Sequence, residues 1–350
     1  MEKLYSIGDE IDGLYVLKDS TFSIRYEGVP SYQVSIPQSY PGIFEFLLSR
    51  SNPLITTRLT EVSVNELSKS SAITPETLLD RLYDSEEGSL INKTLAILIE
   101  QSNQTLQTLF QSMPEQWDPL QKKARLFFEL TNSLSKLAGE LGIGHIISLA
   151  RDYSKHPTYI AGSLAQPYCV VGSFAATGVL ESNSVQFTSE QVFCHQGHEA
   201  DSMFFLLKGK VLVSSSNYVL ASIDTPGECF GELAFFLGGQ RTANLTATSG
   251  SAVLRATKES LPDFLSEHPD MLLQIAQTLA QRLEQNFRKI SFYSKPTVEE
   301  LSVFIDECHF QSQTALETLL EDLRKVIRVS FNEKLMKFIH DATSATKKLT

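Results

Sequence analysis

The first sixty residues carry apolar and polar positions in short alternating runs. Leu14-Tyr15-Val16-Leu17 and Phe22-Ser23-Ile24-Arg25-Tyr26 are rich in aromatic and β-branched residues and lie between Gly and Asp punctuation, a pattern that predicts short strands. The layout returns later. Gly8, Glu10, Asp12, Tyr15 and Ile24 each have a counterpart 189 positions on, at Gly197, Glu199, Asp201, Phe204 and Val213. Similarity held without a gap over that length predicts a duplicated unit. In the second stretch, strands are expected near Tyr168-Cys169-Val170-Val171, over Val185-Gln186-Phe187 and Gln191-Val192-Phe193, at Met203–Leu206 and Val211–Val213, and last at Ala252–Ala256.

Elsewhere the apolar period shifts from two to 3.6. Ile91, Leu95, Leu98, Leu106 and Leu109 fall on one helical face, as do Ala124, Phe127, Phe128, Leu134 and Leu137 on a second segment. Met113-Pro114 separates the two, and Gly139 and Gly142 end the second, so a two-helix connector is expected. Residues 154–168, with His156-Pro157, Gly162 and Pro167, read as a linker. After the last strand, Thr257 or Ser260 is placed to cap a helix, and Leu272, Ile275, Leu279, Leu283 and Phe287 form the apolar stripe of another. Beyond Lys295-Pro296 a helical pattern runs through Val303, Ile305, Leu316, Leu319, Leu323, Val326, Ile327, Leu335 and Ile339. The expected division is 1–72, a first strand-rich domain; 73–160, a helical connector; 161–290, a second strand-rich domain with its helices; and 291–350, a C-terminal helical segment.

Composition narrows the partners. The net charge of −11 argues against binding nucleic acid by broad neutralisation of phosphates. Local basic spots at Lys122-Lys123-Ala124-Arg125 and Lys347-Lys348 fit solvated helix faces or a tail. Four cysteines without a CxxC pair fit a reducing compartment. The start of the chain has no apolar signal core, and no apolar run approaches the ~20 residues of a membrane helix. A cytoplasmic protein with no membrane association is expected. GxSxG, P-loop and kinase signatures are absent from the sequence, which predicts no enzyme activity. His195 and His198 are joined by no acidic or Cys set, and Cys308-His309 is equally isolated, so no metal is expected.

The stretch with chemistry runs from Phe230 to Ala247, FGELAFFLGGQRTANLTA. A helix starting at Gly231 presents free backbone N–H groups that attract an anion, and Arg241 can add a charge-assisted contact. Glu232 when ionised only accepts hydrogen bonds, so its partner is a hydroxyl donor rather than a phosphate. One phosphate and one hydroxyl together suggest a ribose phosphate.

This order of residues resembles the phosphate-binding cassette of the cyclic nucleotide-binding domain family, Phe-Gly-Glu-(apolar)-Ala followed by a short run and Arg-(Ala/Thr/Ser)-Ala. The resemblance is strong over about 180–290 and weak over 1–72. It implies an α+β fold: two antiparallel, jelly-roll-like β-barrels of the cyclic nucleotide-binding type, joined and followed by α-helices. It also implies a ligand site of Phe230, Gly231, Glu232, Leu233, Ala234, Arg241, Thr242 and Ala243. In it Glu232 takes the ribose 2′-hydroxyl, Arg241 the cyclic phosphate, and the N–H groups of Gly231 to Ala234 complete the anion site. The hydroxyl of Thr242 leaves the base open, with cAMP placed ahead of cGMP. Phe287, Phe292 and Tyr293 are candidates for a lid over the base.

The first copy departs from the pattern. No Phe-Gly-Glu opens it, Pro41-Gly42 is matched to Pro226-Gly227, and laying Glu45 on Glu232 puts Leu54 at the Arg241 position, with Arg58 four residues late. Ser20 stands in place of Gly209. A degenerate barrel that binds no nucleotide is expected. The cAMP receptor protein family of transcription factors carries a DNA reader after such a domain, but the tail here is acidic at Glu317, Glu321 and Asp322. The expected function is a cyclic nucleotide receptor that signals to a protein partner, with a homodimer through the Leu272-to-Phe287 stripe left open. The alternatives are a scaffold that binds no nucleotide, and a transcription regulator with an unrecognised DNA-binding segment.

Overall fold

Alternation along the N-terminal strands decides which face they bury. In a computed structural model, which describes residues 1–110, 117–165, 184–215, 218–294, 313–326 and 332–349, Thr60, Val62 and Val64 of β4 (Thr60–Val64) point inward. Phe22 and Ile24 of β2 (Leu14–Tyr26) stand opposite Val64 and Val62. Such cross-strand apolar pairs are the stabilising unit of a sheet. With β1 (Glu2–Tyr5), β3 (Tyr32–Ser39) and β5 (Ser70–Ile73) they form one antiparallel sheet, ordered β1-β4-β2-β3 with β5 also on β2. Helix α1 (Ile43–Ser51) starts at Gly42, whose φ of 87° is in the left-handed region, and buries Ile43, Phe44, Leu47 and Leu48.

The second strand-rich lobe holds β6 (Ser184–Gln186), β7 (Gln191–Cys194), β8 (Ser202–Lys208), β9 (Val211–Ser215), β10 (Tyr218–Ile223), β11 (Cys229–Phe230), β12 (Asn244–Ala247) and β13 (Ala252–Thr257). They make two four-stranded antiparallel sheets, β10-β9-β12-β7 and β11-β8-β13-β6. The sheets share one core: Phe204, Leu206, Phe230 and Val253 come from one, and Val211, Ile223, Leu245 and Ala247 from the other.

The described strands form antiparallel sheets, two sharing one core in the second lobe and one in the first, where two jelly-roll-like β-barrels were expected. The lobes differ at one turn. Gly209, at φ 84°, breaks β8 from β9, and any side chain there would meet Ser251, its Cβ lying 2.6 Å from Ser251 Cα. The first lobe has Asp19-Ser20 at this point, and β2 continues through it unbroken, with only Asp19 at positive φ.

Helices follow the periodicity, with additions. The two long ones expected are α3 (Ser85–Phe110) and α4 (Trp117–Leu141), preceded by α2 (Pro75–Leu82). Gly142 (φ 64°) ends α4, whereas Gly139 lies inside it. Residues 154–168 are not all linker. Helix α5 (Gly144–Tyr153) is followed by α6 (Pro157–Leu164), which His156 caps by accepting from Thr158 N. Proline at the first helical position starts a helix as readily as it punctuates a loop. After β13 come α7's successors: α8 (Leu261–Glu267) and α9 (Met271–Tyr293), α7 (Glu232–Leu237) lying earlier in the cassette. A helix over 313–326, here α10, and α11 (Glu333–Lys347) complete the described chain.

The chain divides into two units that interleave in sequence: Met1–Gln104 with Tyr168–Phe287, and Thr105–Pro167 with Arg288–Thr350. In the second unit, Phe127, Leu134 and Ile146 share a core with Leu316, Leu319, Leu323 and Leu335. The C-terminal helices therefore complete the connector's core. In the first unit the α9 stripe of Leu272, Ile275, Leu279, Leu283 and Phe287 is buried within the chain, which removes it as a homodimer surface. No helix among the described residues is long and apolar enough to cross a membrane. The expected break at Met113-Pro114, the strand near Tyr168–Val171, Lys295-Pro296, Val303, Ile305, Ile327 and Cys308-His309 lie outside the described residues.

Candidate ligand site

The cassette is shaped by three glycines. Gly227 N donates to Leu206 O, turning the chain into the two-residue strand β11, where Phe230 pairs with Phe204 of β8. Gly231 then adopts φ 74°, φ-space that only glycine enters without strain, and opens α7. Gly238 (φ 66°) closes it with its N–H on Ala234 O. The chain returns through Arg241 into β12. Phe230, Glu232, Leu233, Ala234, Arg241 and Ala243 are buried, whereas Thr242 is exposed.

Arg241 is 5% exposed, and its guanidinium holds the loop together. Nη1 donates to Gly231 O (3.0 Å), and Nη2 to Ser202 O (2.5 Å) and Ser202 Oγ (3.2 Å), with the Phe204 ring beneath it. A Cβ on Gly231 would lie 2.8 Å from Nη1. Among the described residues no carboxylate forms an ion pair with Arg241. Its charge is buried and hydrogen-bonded without a direct ion pair, while the Asp201 carboxyl, which burial pushes up, is held below its ordinary value by Ser202, Arg255 and Arg241 together.

The first lobe builds the same frame. Arg58 Nη1 donates to Gly42 O (2.9 Å) and Nη2 to Gly13 O, over the Tyr5 ring. Gly8 N donates to Arg58 O as Gly197 N does to Arg241 O, and Arg58 N donates to Asp9 O as Arg241 N does to His198 O. The Glu10–Thr57 bridge has its like in Glu199–Gln240. Gly8, Asp9, Glu10, Gly13 and Gly42 are each 189 positions before Gly197, His198, Glu199, Ser202 and Gly231. This corrects the sequence alignment: Gly42 stands with Gly231 rather than Gly227, Ile43 falls where Glu232 does, and Arg58 occupies the Arg241 frame. Leu54, the aligned residue, is 88% exposed.

The difference lies in charge. Arg58 and Glu45 are both fully buried and pair at 3.6 Å, and Glu45 also accepts from Thr60 N (3.0 Å) and Thr60 Oγ1. Burial pushes the Glu45 carboxyl up from its ordinary value while Arg58 and Thr60 pull it back. Arg58 is neutralised from inside.

Glu232, 6% exposed, is not free in the second lobe. Arg282 of α9 donates from Nη1 to its Oε1 at 3.0 Å. Nearby Glu228 has its carboxyl pushed up to about 7, first by burial and then by Asp224 and Glu232, with Arg282 opposing. A cavity of about 370 Å³ lies beside Arg241, lined by Phe193, Cys194, Ser202, Phe204 and Arg255 among others, and Glu232 does not reach it. Burial raises the Cys194 thiol, with Arg241 opposing. Of the lid candidates, Phe287 is enclosed by Tyr26, Tyr32 and Phe44 of the first lobe, so it does not cover the cassette here. The His195 and His198 rings are 5.1 Å apart, and no group of three or more metal-ligating side chains occurs among the described residues. Sequence reasoning passed over Arg282 and Glu228. Arg282 borders the apolar stripe of α9, but its partner lies 50 residues away.

Comparison with known proteins agrees with the second lobe. Residues 184–268 match the family model described as cyclic nucleotide-binding domain, and the chain carries one such domain there. The cAMP-activated global transcriptional regulator CRP of Pasteurella multocida is 26% identical over 111 residues, 30% of this chain and 53% of that protein. This chain therefore spans about half the length of that curated relative. Lysophospholipase nte1 of Neosartorya fischeri is 29% identical over 103 residues, which is 28% of this chain but 7% of the enzyme. Among solved structures, cAMP-bound PfPKA-R (141–441) aligns over 78% of this chain and 74% of its own, at 17% identity and a TM-score of 0.25.

Proposed function

We propose that the chain is a non-enzymatic receptor for a cyclic nucleotide, bound in the second lobe by Phe230, Gly231, Glu232, Leu233, Ala234, Arg241, Thr242 and Ala243. The observation that carries this reading is the buried guanidinium of Arg241 beside the start of α7, which forms no direct ion pair among the described residues. A buried charge is costly unless paired, and an anionic phosphate compensates it. The N–H groups of the first turn of α7 have no partner within the helix and face the same anion. Glu232 takes the ribose 2′-hydroxyl. cAMP is placed ahead of cGMP, with the Thr242 hydroxyl leaving the base open.

The first lobe, in this proposal, is a degenerate copy of the second, with its charge satisfied by Glu45 and no nucleotide bound. The shared hydrogen-bond frame, at one constant spacing as far as Gly42 and Gly231, supports that ancestry. Without a catalytic signature the signal passes to a protein partner, in the cytoplasm, and the acidic net charge speaks against DNA. The segments 1–72, 73–160, 161–290 and 291–350 are proposed as its functional parts. Calorimetric titration with cAMP and cGMP tests the reading. Binding is expected for the intact chain, weakened about ten- to a hundredfold in Arg241→Ala, since a hydrogen bond to a charged group contributes ~1.5–3 kcal/mol. Equal affinity in the two proteins removes Arg241 from the site, and no binding to either favours the scaffold.

A further inference from the structure

The second unit carries a groove of about 530 Å³ between α4 and α11. Leu335, Ile339 and Ala342 turn one face of α11 into the shared core, which leaves Asp341, Ala345 and Lys348 on its flank, against Arg125, Leu126 and Glu129 of α4. The two helices run antiparallel. Lys334 at the start of α11 reaches Glu140 at the end of α4 (3.9 Å), while Lys348 at the far end shares the groove with Lys122.

Charge is laid out unevenly along this groove. Arg125 and Glu129 neutralise each other across one turn of α4 at 2.9 Å. Asp341 and Lys348 cannot do the same, because seven residues, about 10.5 Å of helix, lie between them. Neither forms an ion pair among the described residues. Two turns of helix bring both onto one face. Between them, half-buried Ala345 and Leu126 make an apolar floor. One face thus offers an exposed cation, an apolar centre and an exposed anion in a row.

We propose that this groove docks a two-turn helical segment of a protein partner, in the pattern Glu-x-x-Leu-Leu-x-x-Lys. Its acid meets Lys348, its leucines lie over Ala345 and Leu126, and its base, seven positions after the acid, meets Asp341. The spacing of the partner's charges copies that of the groove. Acid before base is also the order a helix favours, since its dipole stabilises acids in the first turn and bases in the last. The segment therefore lies antiparallel to α11. Apolar anchors in the groove supply affinity, and the charged ends fix direction and register. A single-headed amphiphile would satisfy one end and leave the other unanswered. None of these residues belongs to the unit that holds the cassette, so docking stands apart from the nucleotide reading.

The test is fluorescence anisotropy of a labelled peptide, acetyl-Ala-Ala-Glu-Ala-Ala-Leu-Leu-Ala-Ala-Lys-Ala-Ala-amide, titrated with the full chain. Saturable binding is expected, about fivefold weaker in Lys348→Glu and in Asp341→Lys, the upper end of the scale for an exposed ion pair. Lys155→Glu makes the same charge change as Lys348→Glu outside the groove and is expected to leave affinity unchanged. The double variant Lys348→Glu with Asp341→Lys is expected to prefer the peptide with its Glu and Lys exchanged. All three positions are exposed, so the fold tolerates each change. No binding of the peptide, binding weakened equally in Lys155→Glu, or binding indifferent to both charges overturns the proposal. So does a concentration-dependent dimer of the chain alone that Lys348→Glu abolishes, which puts a second copy in the groove.

Discussion

Two arginines sit in one backbone frame and have opposite fates. Arg58 and Arg241 each tie the glycine that opens a short helix to a carbonyl on the facing segment, over an aromatic ring. In the first lobe Glu45, two residues into α1, turns inward and neutralises the guanidinium. In the second, the acid at the start of α7 points to Arg282 instead, and among the described residues Arg241 forms no direct ion pair. One inward carboxylate thus distinguishes two frames that are otherwise alike. The glycine, the arginine and the turn all persist.

The comparison breaks most visibly at Arg58. Arg58→Met strands Glu45 as a buried carboxylate and is expected to cost about 3–5 kcal/mol, read as a drop in the urea midpoint, with cAMP affinity kept. A neutral outcome would mean that the pair is no longer ionic. Arg241→Met is the mirror case. Its loss is expected mainly in the ligand-dependent rise of melting temperature, about 1.5–3 kcal/mol of binding, with a smaller change in the ligand-free protein.

The two glycines sharpen the contrast. At φ 87° and 74°, Gly42→Ala and Gly231→Ala each place a Cβ near the arginine, 3.1 and 2.8 Å from Nη1. Both are expected to cost about 1–2 kcal/mol of stability. Only Gly231→Ala should also weaken cAMP, measurable by the same titration. The smallest effect concerns Glu228, whose folded pKa of about 7 lies above its ordinary 4.5. Its protonated form is favoured by folding, so this stability is full below about pH 4.5 and is lost as pH rises through about 7. Half-buried, it contributes about 1 kcal/mol after allowance for solvent screening. Melting temperatures of Glu228→Gln at pH 5 and pH 8 should differ less than those of the unmodified chain.

Much of the second lobe was legible because its signals are local. Gly231, Glu232 and Arg241 fall within eleven residues, and their turn chemistry is written in adjacent glycines. The repeat spacing was legible for the same reason up to Ile24. Past Gly42 it failed: fifteen residues separate Gly42 from Arg58 against nine between Gly231 and Arg241, and a longer α1 and a longer loop after it share the difference equally. Pairing Glu45 with Glu232 by type then put the exposed Leu54 where Arg58 belongs. Arg282 was hidden by distance along the chain. The shared core of Phe127, Leu134 and Leu319 was hidden by more, since an apolar stripe announces burial without naming what covers it. Phe287 looked like a lid because it ends a stripe, and it ends inside an aromatic box.

The interleaving of the two units bears on how the chain is made and cut. During synthesis the first unit lacks its second half until residue 287 has emerged, by which point residues 105–167 are already waiting with half a core. A fragment stopping near residue 290, the natural choice for isolating the nucleotide domain, would leave Phe127, Leu134 and Ile146 without Leu316, Leu319 and Leu335 and expose an adhesive surface. The better excision removes 105–167 along with the tail and bridges 104 to 168 with a flexible linker.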